Sequence, residues 1–153
     1  MDSITKLSFT LKIRGYIALL KLRLSSLVVM SAFFGFLLAD GNLSSYVFLN
    51  LILGGILITG SSNGFNQIIE HKTDELMSRT LSRPLPSKVL SIAEALIFCI
   101  LTGALGLYFL ASINFSSFIL GLLAMVIYTV IYTPLKKITP FAVFVGAIPG
   151  SIP

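Results

Sequence analysis

Long apolar runs separated by short polar breaks dominate the chain, on a scale longer than a strand or an amphipathic helix of a soluble domain. Residues 24–39, 41–69, 95–135 and 138–153 contain no Asp, Glu, Lys or Arg. A helix crosses a bilayer with about 20 apolar residues, so 41–69 holds one generous span and 95–135 must hold two. Asp40-Gly41-Asn42 turns the chain after the first run, and Ser112-Ile113-Asn114-Phe115-Ser116-Ser117 divides the third. Ser91 followed by Glu94 has the spacing of a capping box, which accounts for Glu94 without further function. The pattern predicts an all-α polytopic transmembrane helix bundle of four complete spans and part of a fifth. Their expected limits are 16–39, 45–69, 91–111, 116–133 and 138–153, with loops at 70–90 and 134–138.

The first run is short, but Lys21 and Arg23 can snorkel to the interface, so that apolar residues 16–20 extend the same helix. Its basic flank resembles that of a signal peptide. Further spans come after it and no small-x-small cleavage site is evident, so it is read as retained.

Composition identifies the solvent. Hydrophobic residues make up 56% of the 153, charged residues 11%, and the mean hydropathy is +0.96, so most of the chain faces lipid. All 11 basic residues can be assigned to one side of the membrane. They are Lys6, Lys12, Arg14, Lys21 and Arg23 before span one, Lys72, Arg79, Arg83 and Lys88 after span two, and Lys136 and Lys137 after span four. The positive-inside rule then predicts a multi-pass membrane protein whose amino terminus and both basic loops are cytoplasmic. The net charge of +5 is a topology signal, and with no soluble basic domain no nucleic acid is expected as a partner. Cys99 is the only cysteine, which excludes an internal disulfide and suits a small packing residue in span three.

One segment looks built for chemistry. Asn66, Glu70 and Asp74 recur at four-residue intervals where span two meets the cytoplasm, and at about 100° per residue they share one helix face over roughly 12 Å. An amide and two carboxylates so aligned are candidate ligands for a hard divalent cation such as Mg²⁺, which often bridges protein carboxylates to substrate phosphates. Arg79 and Arg83 come next, and a guanidinium fork matches phosphate oxygens two at a time. A solvated connector is the plainer alternative. Against it stand the interfacial depth of Glu70, the order of acids before bases, and Pro84 and Pro86, which are expected to end the helix and fix an extended segment that holds Arg83.

The neighbouring residues have simpler readings. His71 and Lys72 point away from the Asn66 face. His71 either faces water or headgroups or acts as a ligand or acid-base group. Lys72 either snorkels to anionic lipid or assists a diphosphate as a point charge, and Glu75 is expected to be solvated. Asn63 either lines a cavity or bonds to another helix, and Gly60-x-x-x-Gly64, with Gly54 and Gly55, permits close helix approach. The second cytoplasmic loop, Tyr132-Thr-Pro-Leu-Lys136-Lys137-Ile-Thr-Pro140, is either a basic stop with proline breakers or a lid or anion contact across from the acidic face.

The run Asn66-x3-Glu70-x3-Asp74-x2-Met77-x-Arg79-Thr80-x2-Arg83-Pro84-Leu85-Pro86 resembles the first aspartate-rich motif of the intramembrane aromatic prenyltransferases, and Lys21-Leu-Arg23 resembles the segment before their first span. The stretch from Tyr132 to Pro140, with Gly146-Ala-Ile-Pro-Gly-Ser-Ile-Pro153, is most similar to the haem O synthase branch, the protoheme IX farnesyltransferases. The resemblance implies a nine-helix membrane bundle with a central cavity capped by cytoplasmic loops, of which this chain would be the first half. It implies transfer of farnesyl from farnesyl diphosphate to a vinyl group of haem b (protoheme IX), giving haem O. It further implies that Asn66, Glu70 and Asp74 act catalytically and hold Mg²⁺, and that Arg79, Arg83 and Lys136 bind the diphosphate. Glu70 stands where the wider family often has Asp, which keeps the charge and adds one methylene.

That family's second acidic motif, expected between spans six and seven, is not within these 153 residues, so the polypeptide alone is expected to be an inactive fragment. Two rivals stand beside this reading. One is prenylation of 4-hydroxybenzoate or another quinone precursor. The other is a non-enzymatic membrane transport or assembly module. An ion-coupled carrier would place its acids near mid-membrane, whereas these lie at the end of span two beside arginines, which favours phosphate chemistry.

Overall fold

The computed structural model describes residues 2–152, with side chains from Phe9 onward. The side chain of Lys6 and Pro153, the last residue of the expected fifth span, lie outside the described residues. All regular structure among them is helical: α1 (Asp2–Leu20), α2 (Leu22–Leu38), α3 (Tyr46–Asp74), α4 (Ile92–Ala111), α5 (Phe115–Val126), a π-helical segment (Ile127–Tyr132), α6 (Thr133–Leu135) and α7 (Ala142–Ser151). Four stretches are long and apolar enough to cross a membrane: Phe9–Leu38, Tyr46–Asp74, Ile92–Ala111 and Phe115–Leu135.

Their packing is inverted relative to a protein in water. Large apolar side chains such as Leu27 and Leu101 point outward, while Ser25, Ser61, Asn63, Asn66, Gln67 and Thr133 are buried. In lipid the outward apolar groups cost nothing, and inward polar groups bond across helices. Ser61 Oγ donates to Cys99 O at 2.7 Å, tying α3 to α4. Gly64 lies so close to Cys99 that a β-carbon there would overlap its sulfur, and a β-carbon at Gly106 would stand 3.0 Å from the Ile58 nitrogen. Gly60 instead meets Leu20 of α1, and Gly55 meets Val29 of α2, so the glycines of α3 admit three different neighbours.

The structure breaks the helix expected to run continuously from residue 16 into span one. Lys21 takes the left-handed conformation (φ 46°, ψ 54°) between α1 and α2, which costs roughly 1–2 kcal/mol for a residue with a side chain. The carbonyls freed by the break find side-chain donors. Gln67 Nε2 donates to Leu19 O at 3.0 Å, and Ser25 Oγ donates to Leu20 O at 2.9 Å. The structure also starts α1 at Asp2, well before the expected limit.

The two ends of the loop that joins α3 to α4 are built differently. Ser91 and Glu94 form the full capping box at the start of α4, and Glu94 in addition pairs with Lys12 of α1. Residues 75–90 are not extended around Pro84 and Pro86; they form consecutive turns, including Arg83 N–H to Thr80 O at 3.0 Å and Leu90 N–H to Pro84 O at 3.1 Å. Proline fixes φ near −65°, which suits turns as well as extended chain, and burial of Pro84, Leu85 and Leu90 folds the loop back onto the bundle.

The fourth span does not stop before Pro134. The chain widens into a π-helix over Ile127–Tyr132 and continues through Pro134 to Leu135. A proline in an α-helix lacks the N–H for the residue four positions back and its ring strikes that carbonyl, and a wider turn removes the clash. Thr133 accordingly donates its N–H to Tyr128 O, five residues back.

Candidate functional site

The last turns of α3, the 75–90 loop, the start of α2 and the π-helical segment enclose a polar cavity of about 300 Å³. Its lining comprises Lys21, Asn66, Glu70, Thr73, Asp74, Met77, Arg79, Arg83, Tyr128 and Lys136. All six residues singled out from sequence border this one space.

The helical register of α3 explains the acidic wall. Tyr46–Asp74 is one uninterrupted helix, so Asn66, Glu70 and Asp74 stack on the face turned inward. Asn66 and Asp74 are buried, with 3% and 5% of their surfaces exposed, which removes both from the solvated-connector reading. A cation answers each of them. Arg83 Nη1 lies 2.5 Å from Asp74 Oδ2, and Lys136 Nζ lies 3.0 Å from both Glu70 Oε1 and Asn66 Oδ1. Because an ammonium only donates, the Asn66 atom that faces Lys136 must be its oxygen.

The loop is held by its own hydroxyl. Thr80, buried, donates through Oγ1 to Asp74 O at 2.7 Å, closing the chain between Asp74 and Arg83 so that the guanidinium can turn back to the carboxylate. Arg79 lines the cavity from an exposed position and has no ion-pair partner among the described residues.

Four cationic side chains thus face two carboxylates, an excess that suits a multiply charged anion. The oxygen donors also have the chemistry of a hard-cation site. Asn66 Oδ1 and Glu70 Oε1 already converge on one positive nitrogen, and Asp74 supplies a third oxygen one turn further. No cluster of three or more His, Cys, Asp or Glu capable of holding a metal occurs among the described residues. A metal here would therefore use Asn66, Glu70 and Asp74 and complete its shell with water or substrate oxygens.

The second loop faces the first: Lys136 lines the cavity across from the acidic face, with its ammonium 5.4 Å from the centre of the Tyr132 ring. Lys21, Tyr128 and Thr73 also border the cavity, although their place in the sequence suggests no chemistry for them. Lys21 is a cavity residue and not merely an interface anchor; its position depends on the left-handed break, which no glycine or asparagine signals. His71 lies on the other side of α3, in a separate cleft with Lys12, Glu75 and Glu94, and its Nδ1 is 2.8 Å from Ile68 O. Asn63 combines its two readings: it lines an apolar cavity beside Tyr128, and its amide donates to Ser25 Oγ at 3.4 Å.

Comparison with known proteins decides the family. Residues 28–153 match the UbiA prenyltransferase family. The chain belongs to that family. Among similar UbiA-family proteins, a protoheme IX farnesyltransferase of Cytophaga hutchinsonii is 44% identical over 92% of this chain and 50% of its own length. One from Myxococcus xanthus is 41% identical over 90% of this chain and 47% of its own length. The mitochondrial protoheme IX farnesyltransferase of Arabidopsis thaliana is 39% identical over 92% of this chain and 33% of its own length. The chain spans about half the length of the bacterial relatives it matches. No solved structure matches it. With its four long apolar helices, this UbiA-family chain is a multi-pass membrane protein.

Proposed function

We propose that the chain contributes the first diphosphate-binding wall of an enzyme that transfers a farnesyl group from farnesyl diphosphate to a vinyl group of haem b, giving haem O. The observation that carries this reading is the cavity in which Arg83, Arg79, Lys21 and Lys136 surround the Asn66, Glu70 and Asp74 face. The names of the similar proteins support haem b as the acceptor in preference to 4-hydroxybenzoate.

In this scheme Arg79 and Arg83 grip the terminal phosphate oxygens, while Lys21 and Lys136 neutralise charge on the side nearer the isoprenyl chain. As the allylic carbon–oxygen bond breaks, negative charge grows on the leaving oxygen, and fixed cations stabilise that charge more in the transition state than in the ground state. Asn66, Glu70 and Asp74 hold Mg²⁺, which when bound supplies further positive charge to the diphosphate. Below the site, an apolar cavity lined by Leu24, Val28, Ile58, Met125 and Tyr128 shelters the reactive chain from water. The vinyl group supplies the electron pair for the new carbon–carbon bond as diphosphate leaves. Water then adds to the cation formed beside the porphyrin ring and releases a proton, which gives the hydroxyl group of haem O.

Under this reading the site faces the cytoplasm from the bacterial inner membrane, with the amino terminus on the same side, as the distribution of Lys and Arg supports. The test incubates the protein in nanodiscs with farnesyl diphosphate and either haem b or 4-hydroxybenzoate, with and without Mg²⁺. Mg²⁺-dependent gain of one farnesyl and one hydroxyl group on haem b is expected; a product only from 4-hydroxybenzoate, or none, overturns the assignment.

A further inference from the structure

Thr133 is fully buried, and together with Lys136 it joins the end of the fourth span to Asn66. Its Oγ1 lies 3.1 Å from Asn66 Oδ1 and 2.8 Å from Tyr128 O. The single hydroxyl proton is shared between the Tyr128 carbonyl, which also receives the Thr133 N–H, and the amide oxygen of Asn66. That oxygen has two lone pairs, and Lys136 takes the other at 3.0 Å. With both occupied, the amide plane is fixed and its oxygen stays turned toward the ammonium shared with Glu70.

This arrangement depends on the π-helix. Removing the extra residue of a wide turn would rotate the chain beyond it by about 100°, carrying Thr133 and Lys136 away from α3. Two further contacts hold the wide turn in place. Thr129 Oγ1 donates to Met125 O at 2.7 Å within its first turn, and Gly146 of α7 sits against the Tyr132 ring, where a β-carbon would come within 2.7 Å.

We propose that Thr133 is a positioning residue: its hydroxyl locks the amide of Asn66, and through it the ammonium of Lys136, in the orientation that receives a diphosphate. The functional half of this inference rests on the diphosphate-site reading above, whereas the positioning half stands on geometry alone. A buried neutral hydrogen bond is worth roughly tenfold in an equilibrium, so loss of the hydroxyl has a readable effect.

The experiment uses the full 153-residue chain in nanodiscs, with Thr133→Val, Thr133→Ala and Thr133→Ser. The first readout is the Asn66 side-chain amide resonance in asparagine-labelled protein, assigned by its loss in Asn66→Gln. The second is the affinity for inorganic pyrophosphate in the presence of Mg²⁺. Expected are a displaced or broadened Asn66 signal and about tenfold weaker pyrophosphate binding in Val and Ala, with both restored to within about twofold by Ser. An unmoved Asn66 signal in Val and Ala, or Ser behaving as they do, overturns the positioning role. A moved and Ser-rescued signal in a wild-type chain that binds no pyrophosphate keeps the positioning and refutes the diphosphate reading.

Discussion

Arg83 folds back nine residues along the chain to set its Nη1 2.5 Å from Asp74 Oδ2. Carboxylate and guanidinium are therefore held at a fixed spacing before any substrate arrives, with the loop between them closed by Thr80.

Arg83→Ala should weaken pyrophosphate binding by roughly 10- to 100-fold, the range for losing a charge-assisted hydrogen bond. Arg83→Lys should recover only part, because an ammonium does not reproduce the two-pronged fork. Titration calorimetry on the chain in nanodiscs measures both, and equal affinities for Arg83→Lys and wild type would remove the bidentate argument.

Asp74→Asn should separate metal from anion. Wild-type binding of pyrophosphate is expected to strengthen with Mg²⁺, and the substitution should abolish that dependence while leaving Mg²⁺-independent binding within a few-fold. Unchanged Mg²⁺ dependence would count heavily against Asp74 as a metal ligand.

Thr80→Val removes the hydroxyl that closes the loop on Asp74 O. The carbonyl keeps only the Met77 N–H at 3.4 Å, and the loss of about 0.5–1.5 kcal/mol should appear both as a lower melting temperature and as weaker pyrophosphate binding. Normal binding with reduced stability would show that the turn does not position Arg83.

Gly64→Ala places a methyl group against the Cys99 sulfur, and overpacking of this kind costs about 1–3 kcal/mol. Cys99→Ala frees that space, so the double substitution should melt closer to wild type than Gly64→Ala does. Additive losses in thermal unfolding would mean that the two side chains do not meet.

The sequence displays the features that repeat. Uncharged runs announce the helices, the four-residue interval puts Asn66, Glu70 and Asp74 on one face, and Ser91 with Glu94 marks a helix start. It conceals those set by a neighbour. The break at Lys21 carries no turn residue and survives because Gln67 and Ser25 cap the freed carbonyls. Pro134 reads as a stop, yet the π-helix absorbs it because Thr133 and α7 hold the wide turn. Prolines in the 75–90 loop suggest extended chain, but Thr80 and buried Leu85 decide for turns. Arg83 is legible as a candidate; its pairing with Asp74 is not, since it depends on that loop geometry.

The pairing of Lys136 with Asn66 and Glu70, and of Arg83 with Asp74, makes ligand capture an exchange. Under the proposed function, a magnesium diphosphate would bring both signs of charge, with Asn66, Glu70 and Asp74 as the residues that would hold the metal and Lys136 and Arg83 as those that would meet the phosphates. A free metal finds both carboxylates paired, and a free anion finds Arg83 and Lys136 engaged and only Arg79 and Lys21 without an ion-pair partner among the described residues. The site should therefore discriminate against free metal and against free anion, and respond most strongly to the two arriving together. Lys136→Met should expose this coupling by strengthening Mg²⁺ binding severalfold while weakening that of pyrophosphate, opposite signs from a single lost charge.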